Sequence, residues 1–267
     1  SVGIANNAGG VSGCNYEGTI TNCYNTGSVS GANKVGGVSG DNDEGIIINC
    51  YNEGGVSGDE YVGGVSGDNY NKGTITNCYN AGSVSGDEYV GGVSGSNRNN
   101  VIITNCYNVG SVIGSARGAN KVGGVSGSNY QKGTITNCYY DSTIYTGNAI
   151  GTNGGTTTKV EGKTTDKFKT GEVAYLLQLG QSDEVWGQNI GTDTYPILGG
   201  AKVYKNAAYK GCEGKPGEPE SLEYSNTEKQ NTYGEHSDAD NDGKCDVCDA
   251  IIDGIGAKLA GYSLSLT

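Results

Sequence analysis

The stretch "HSDADNDGKCDVCD" concentrates the groups best suited to hold a metal ion. Counted from Asp238, carboxylates fall at positions 1, 3, 5, 9 and 12 as Asp238, Asp240, Asp242, Asp246 and Asp249. This is the oxygen spacing of an EF-hand calcium loop, with Gly243 at the sharp turn and the Lys244 carbonyl at position 7. Position 12 is Asp, whose arm is shorter than that of the usual Glu. The same stretch supports zinc, because Cys212, His236, Cys245 and Cys248 offer three thiolates and an imidazole with a CxxC spacing. A third reading is a solvated acidic linker with Cys245 bridged to Cys212 in an oxidising compartment. Calcium is the expected cofactor and zinc the alternative, since five oxygen ligands in register outweigh one histidine loosely fixed in sequence.

Catalytic groups are harder to assemble. Asp59/Glu60 and Asp87/Glu88 are paired carboxylates at one repeated loop position, with no His, Lys or Arg beside them in sequence. Acid and base work requires two groups in different environments, whereas repeated loop carboxylates read as solvated turns. His236 stands far from them, and neither HExxH nor a nucleophile elbow occurs. No catalytic residue is expected. Ligand contact falls instead to the aromatic row Tyr24, Tyr51, Tyr79, Tyr107 and Tyr139, whose rings stack on sugars if they face outward. The threonines that flank each "TIT" are interrupted by Ile46, Ile48 and Ile102, which breaks any ice-binding hydroxyl lattice.

These residues recur because the chain does. "GTITNCYN" at Gly18 returns at Gly73 and, as "GTITNCYY", at Gly133. Its cysteine stands at Cys23, Cys50, Cys78, Cys106 and Cys138, in steps of 27, 28, 28 and 32 residues, the last lengthened by "SARGANK". Each unit carries three short apolar patches, at Val38, Ile47 and Val56 in the second copy, separated by Gly, Asn and Asp. No unit so small buries those patches alone. Stacked as rungs, the strands pair with their own copies about 4.8 Å above and below. The expected fold is therefore all-β, a parallel β-solenoid of about five 27–28-residue coils.

In that coil Ile20, Ile47, Ile75, Ile103 and Ile135 form one inward row, and Val11, Val38, Val65, Val93 and Val125 another. Asn22, Asn49, Asn77, Asn105 and Asn137 are expected to make an amide ladder at a bend. The Gly pairs are expected to supply turns with positive φ. The five cysteines read as small buried thiols, because parallel neighbours fit disulfide geometry badly. Neighbouring Cys and Tyr face opposite ways, and which of the two faces inward stays open.

The pattern "VGGVSG...GTITNCYNAGSVSG" resembles the GLUG repeat of bacterial surface proteins, over about residues 1–140. Family repeats often read GGLVG where this chain has "GGVSG", and Ser where it has Cys. The resemblance implies an extracellular location, on the bacterial surface or secreted, and a role in adhesion or display.

After Tyr140 the period fails. A Gly/Thr-rich connection leads to "TGEVAYLLQLG", expected to be a helix near 170–179 with Thr170 as N-cap and Gly180 as stop. With Trp186 and "YPILGG" it reads as a cap on the open coil end, giving four parts: repeats 1–140, cap 141–205, acidic linker with the metal loop 206–253, and 254–267 as the start of a further domain. The chain itself reads as an excerpt of a longer protein. A net charge of −12 without a basic stripe excludes nucleic-acid binding, and no apolar run of about 18 residues spans a bilayer. The function expected is a non-catalytic surface module, an adhesive stalk or spacer with glycan or protein partners. The competing class is the accessory region of a secreted peptidase or glycan-active enzyme whose catalytic part lies elsewhere.

Overall fold

A computed structural model of the chain describes residues 6–115, 121–237, 239, 244–246, 248 and 250. They fall into two compact units, divided between Lys202 and Val203. In the first, each rung of the coil is a set of very short strands. The second rung runs Asn33–Gly36, Ser39–Asp43, Ile46–Ile48, Tyr51–Asn52 and Val56–Ser57. Each strand pairs in parallel with its copy in the neighbouring rungs, and the register matches like with like: Ile47 with Ile75, Val62 with Val90, Tyr79 with Tyr107. The expected parallel β-solenoid is the fold of this unit. Segments Ile150–Asn153 and Thr156–Lys163 add a partial sixth rung.

Strands this short carry no helix-period pattern, and their β-branched residues suit a pleated surface packed on identical neighbours. The two predicted inward rows are in the core: Ile47, Ile75, Ile103 and Ile135 with Val38, Val65, Val93 and Val125, all without exposed surface. Cysteine joins them, so the Cys row faces inward and the Tyr row outward. Val11, on the first described rung, is 42% exposed. A second core, which sequence reading does not separate, sets Val35, Val62 and Val90 against Val29, Val56, Val84 and Val112.

Two expectations about the corners are corrected. Asn22, Asn49, Asn77, Asn105 and Asn137 do not form a continuous amide ladder; they sit at φ 52 to 54°, the left-handed region that Asn tolerates better than most residues. Only the pair Asn137 Nδ2 to Asn105 Oδ1, 2.8 Å, bridges two rungs there. The ladders belong to other asparagines. Asn15, Asn42, Asn69, Asn97, Asn129 and Asn153 donate one to the next at 2.7 to 3.0 Å, and Asn25, Asn52, Asn80 and Asn108 do so at 2.7 Å. In both rows the second amide hydrogen serves a turn carbonyl, such as Gly45 or Gly54, so a buried amide is satisfied at every rung. Nor do the Gly pairs serve positive φ. A Cβ on Gly36 would meet the Ser39 carbonyl, and one on Gly64 would meet Gly92 and Asn80 of the next rung, so these glycines let backbones approach.

Beyond the coil, Tyr140 and Tyr145 cover the end of the main core. Helices α1 (Thr165–Lys169) and α2 (Glu172–Gln178) then fold back on the tyrosine flank with Trp186. Gly180, at φ 82°, follows α2 as predicted, but Thr170 closes α1, and Gly171 at φ 86° is the N-cap of α2. The second unit opens with an antiparallel hairpin, Tyr204–Tyr209 with Pro219–Ser225, in the stretch expected to be a linker. Among the described residues no helix is long and apolar enough to cross a membrane. The expected further domain at 254–267 lies outside the described residues.

Candidate functional site

Two features carry the chemistry singled out in the sequence, one in each unit. The first is the tyrosine row. Tyr24, Tyr51, Tyr79 and Tyr107 stack face to face with centroids 4.8 to 5.2 Å apart, the rung spacing written in aromatic rings. Their surroundings differ sharply. Tyr24 is 60% exposed, whereas Tyr107 and Tyr139 are 1% exposed beneath Phe168, Val173, Leu177 and Trp186. The Tyr107 hydroxyl donates to the Pro196 carbonyl at 2.5 Å and the Tyr139 hydroxyl to Asn137 Oδ1 at 2.7 Å. Burial pushes the Tyr107 hydroxyl well above its ordinary pKa. Tyr107 and Tyr139 are thereby removed from the row of ligand contacts and become the seat of the cap, which only tertiary packing reveals. Where the cover ends, a cleft of about 500 Å³ opens between Tyr51, Asn22 and Asn49 on the coil and Asp183, Glu184 and Leu198 on the cap. The Asn49 Oδ1 is buried there without a hydrogen-bond partner.

The second feature is a cysteine and histidine cluster in the second unit. Cys212, His236, Cys245 and Cys248 bring their ligand atoms within 4.8 Å of one another. The Cys212 and Cys245 sulfurs are 3.7 Å apart, and Cys248 Sγ lies 3.5 Å from His236 Nδ1. Zn–S bonds of about 2.3 Å and Zn–N bonds of about 2.0 to 2.1 Å give tetrahedral edges of about 3.8 Å between sulfurs and about 3.6 Å between sulfur and nitrogen. The separations match those edges. Local structure supplies the ligands: a turn from Cys212 O to Lys215 N, and the Cys245 amide donating to Ala250 O at 2.8 Å. Cys212 and Cys245 are buried, His236 is exposed. The neighbouring Cys248 thiol and burial push the Cys212 thiol up to about 11.

Of the calcium loop, Asp238, Asp240, Asp242 and Asp249 lie outside the described residues, and Lys244 and Asp246 are described. Asp246 Oδ2 accepts from the Ser237 hydroxyl at 3.0 Å and from the Ala239 amide at 2.8 Å, which makes it a turn-forming acceptor.

Within the coil the reactive groups are spent on one another. Asp68 takes a bidentate contact from Arg98, at 2.7 and 3.3 Å, and Lys34 bridges Asp41 and Asp68 at 2.7 and 3.3 Å. Glu88 pairs with Lys121 at 2.9 Å. The Cys50, Cys78 and Cys106 thiols donate to carbonyls two residues back, at 3.1 to 3.2 Å, and the Cys23, Cys50 and Cys78 amides donate to the sulfur of the next rung at 3.4 Å.

Comparison with known proteins agrees with the repeat. The GLUG motif model matches residues 4–30 and 58–85, two stretches of the coil. No curated protein matches the chain. Among solved structures, a candidate immunoglobulin A1 protease from Bacteroides ovatus is similar at 24% identity, with a TM-score of 0.45 over 67% of this chain. The match spans 57% of that structure's length.

Proposed function

We propose that these GLUG repeats form a non-catalytic module of a bacterial surface or secreted protein, an adhesive stalk or spacer that binds glycans or proteins. The observation that carries this reading is the use of polar groups in the coil. The Asn amides, the Asp68 and Glu88 carboxylates and the row of cysteine sulfurs, each accepting from an amide of the rung before, all hold neighbouring rungs, which favours persistence over chemistry. The open end of the tyrosine row, Tyr24 and Tyr51 beside the cleft, is the ligand face of this reading. In the second unit the four ligands support structural zinc, since thiolates and imidazole are soft donors and a closed Cys₃His set leaves no open position for catalysis. Cys212, His236, Cys245 and Cys248 would hold the ion, which would fasten the loop of the hairpin to the chain segment after it.

The rival class, an accessory region of a secreted enzyme, shares this coil and differs in what flanks it; the name of the B. ovatus protein belongs to that class. The test is an array of glycans, extracellular-matrix proteins and immunoglobulins, probed with the full chain and read for both retention and cleavage. Saturable retention, weakened about tenfold by Tyr24→Ala with Tyr51→Ala and without cleavage products, is expected. Cleavage of any arrayed molecule by the purified chain overturns the reading.

A further inference from the structure

On the flank where Lys34, Tyr61 and Tyr89 occupy one column of the coil, the stacking rule breaks in two columns at once. The column carries Lys34 in the second rung and Tyr61 and Tyr89 in the third and fourth, while the facing column, paired in register, runs Asp41, Asp68, Ser96, Ser128. In the lower rungs Lys34 spans the gap to Asp41 and Asp68 and fills it. Higher up, serine replaces aspartate, the first column carries Tyr61 and Tyr89 before Lys121 returns in the fifth rung with its ammonium 4.3 Å from the Tyr89 ring centroid, and a cleft of about 290 Å³ remains, lined by Tyr61, Tyr89, Tyr130 and Arg98. Ser128, also lining it, is fully buried, and its hydroxyl has no hydrogen-bond partner. Tyr61 and Tyr89 stand at φ 55° and 53°, a backbone region unfavourable to tyrosine, which the two rungs hold in common. Their rings stack at 4.9 Å.

We infer that this cleft binds a neutral sugar ring. Three properties of the walls select that chemistry. Tyr61 and Tyr89 spend their faces on each other and on Arg98 and Lys121, so the ring that suits the apolar C–H face of a pyranose is that of Tyr130. Arg98 is neutralised by its bidentate contact with Asp68, yet keeps N–H donors beyond the two so used, so the cleft offers donors without net positive charge. Ser128 and Gln131 each both donate and accept, as vicinal hydroxyls do. A purely apolar ligand would leave the Ser128 hydroxyl and the remaining Arg98 donors unpaired, and an anion would meet an acidic chain and a guanidinium already satisfied. The volume stands at the low end for small-molecule sites, which limits the occupant to one or two rings.

The inference deepens the reading of the chain as a binding module, and the two fail separately. Saturation-transfer NMR of the full chain with glucose, galactose, mannose, fucose and N-acetylglucosamine, with sialic acid as the charged control, is the test. At least one neutral sugar is expected to bind saturably, about fivefold weaker in Ser128→Ala and about tenfold weaker in Tyr130→Ala, and unchanged in Tyr24→Ala. Ser128→Ala removes an unpaired buried hydroxyl, so its melting temperature should hold or rise while its affinity falls, which a merely structural serine would not show. Binding lost in Tyr24→Ala but retained in Ser128→Ala and Tyr130→Ala overturns this site and leaves the binding module standing. Binding of sialic acid alone, or of no sugar, overturns this site while the array result judges the module.

Discussion

Ile75 in the coil lies between Ile47 and Ile103, and each of these rests on its own copy in turn, so a buried methyl group meets the same partner at every level. Among the described residues of the second unit, the fully or nearly buried side chains are Val203, Asn206, Ala207, Cys212 and Cys245, beside one hairpin. The coil gains stability from burial that repeats with each rung. The described part of the smaller unit buries little apolar surface, and its three cysteines and one histidine converge where a larger domain would place a core. Repetition and cross-linking are thus two answers to the entropy of ordering a chain rich in glycine.

The proposed zinc site tests the contrast most directly, and its disruption should have the largest effect. Cys245→Ser is expected to lower zinc affinity by at least about a thousandfold and to collapse the amide NMR dispersion of the second unit, while resonances of the coil stay in place. A chelator should do the same to the unaltered chain, and calcium should not restore it. If the second unit keeps its spectrum without metal, its stability comes from the hairpin and the contrast fails.

Within the coil the order of effects should follow what each row buries. Ile75→Ala leaves a cavity between two fully buried neighbours and is expected to cost about 2 to 5 kcal/mol. Asn69→Ala interrupts the amide ladder between Asn42 and Asn97 and removes one of the two donors to the Gly73 carbonyl, the other being the Ile102 amide, at about 1 to 3 kcal/mol. Urea denaturation of the coil measures both; a larger loss for the amide than for the isoleucine would place polar stacking above apolar burial.

The smallest effect concerns the cap. Burial opposes ionisation of Glu172, but Lys167 and Lys163, at 3.0 and 3.1 Å, hold its carboxyl below the ordinary 4.5. A carboxyl with a lowered folded-state pKa contributes stability fully present above about 4.5 and lost as pH falls through the folded value. Glu172→Gln should therefore flatten the acid limb of the cap's stability, followed by Trp186 fluorescence, and leave neutral-pH melting of the coil within about 1 °C. An unaltered acid limb would mean that Glu172 does not report on cap docking.

The sequence by itself determined the coil. Residues that recur at one period and bury nothing alone have to stack, and identical β-branched side chains in register fix the inward rows Ile47 to Ile135 and Val38 to Val125 before any coordinates exist. It also marked Cys212, His236, Cys245 and Cys248 as a ligand set, although the calcium spacing nearby was the stronger local pattern. Only the tertiary structure decided the rest. Alternation says that Cys and Tyr face opposite ways, but not which way is in; that follows from the curvature of the rung, which closes around the small thiol and leaves the larger ring outside. Which asparagines form ladders depends on backbone conformation: those at φ near 53° turn the corner, and the extended ones align their amides along the axis. The tyrosine row looks uniform in sequence, yet α1, α2 and Trp186 bury Tyr107 and leave Tyr24 in solvent, because a long-range contact obeys no period. The cleft beside Ser128 is of the same kind, since it exists only where two columns, seven residues apart along each rung, face one another across a corner.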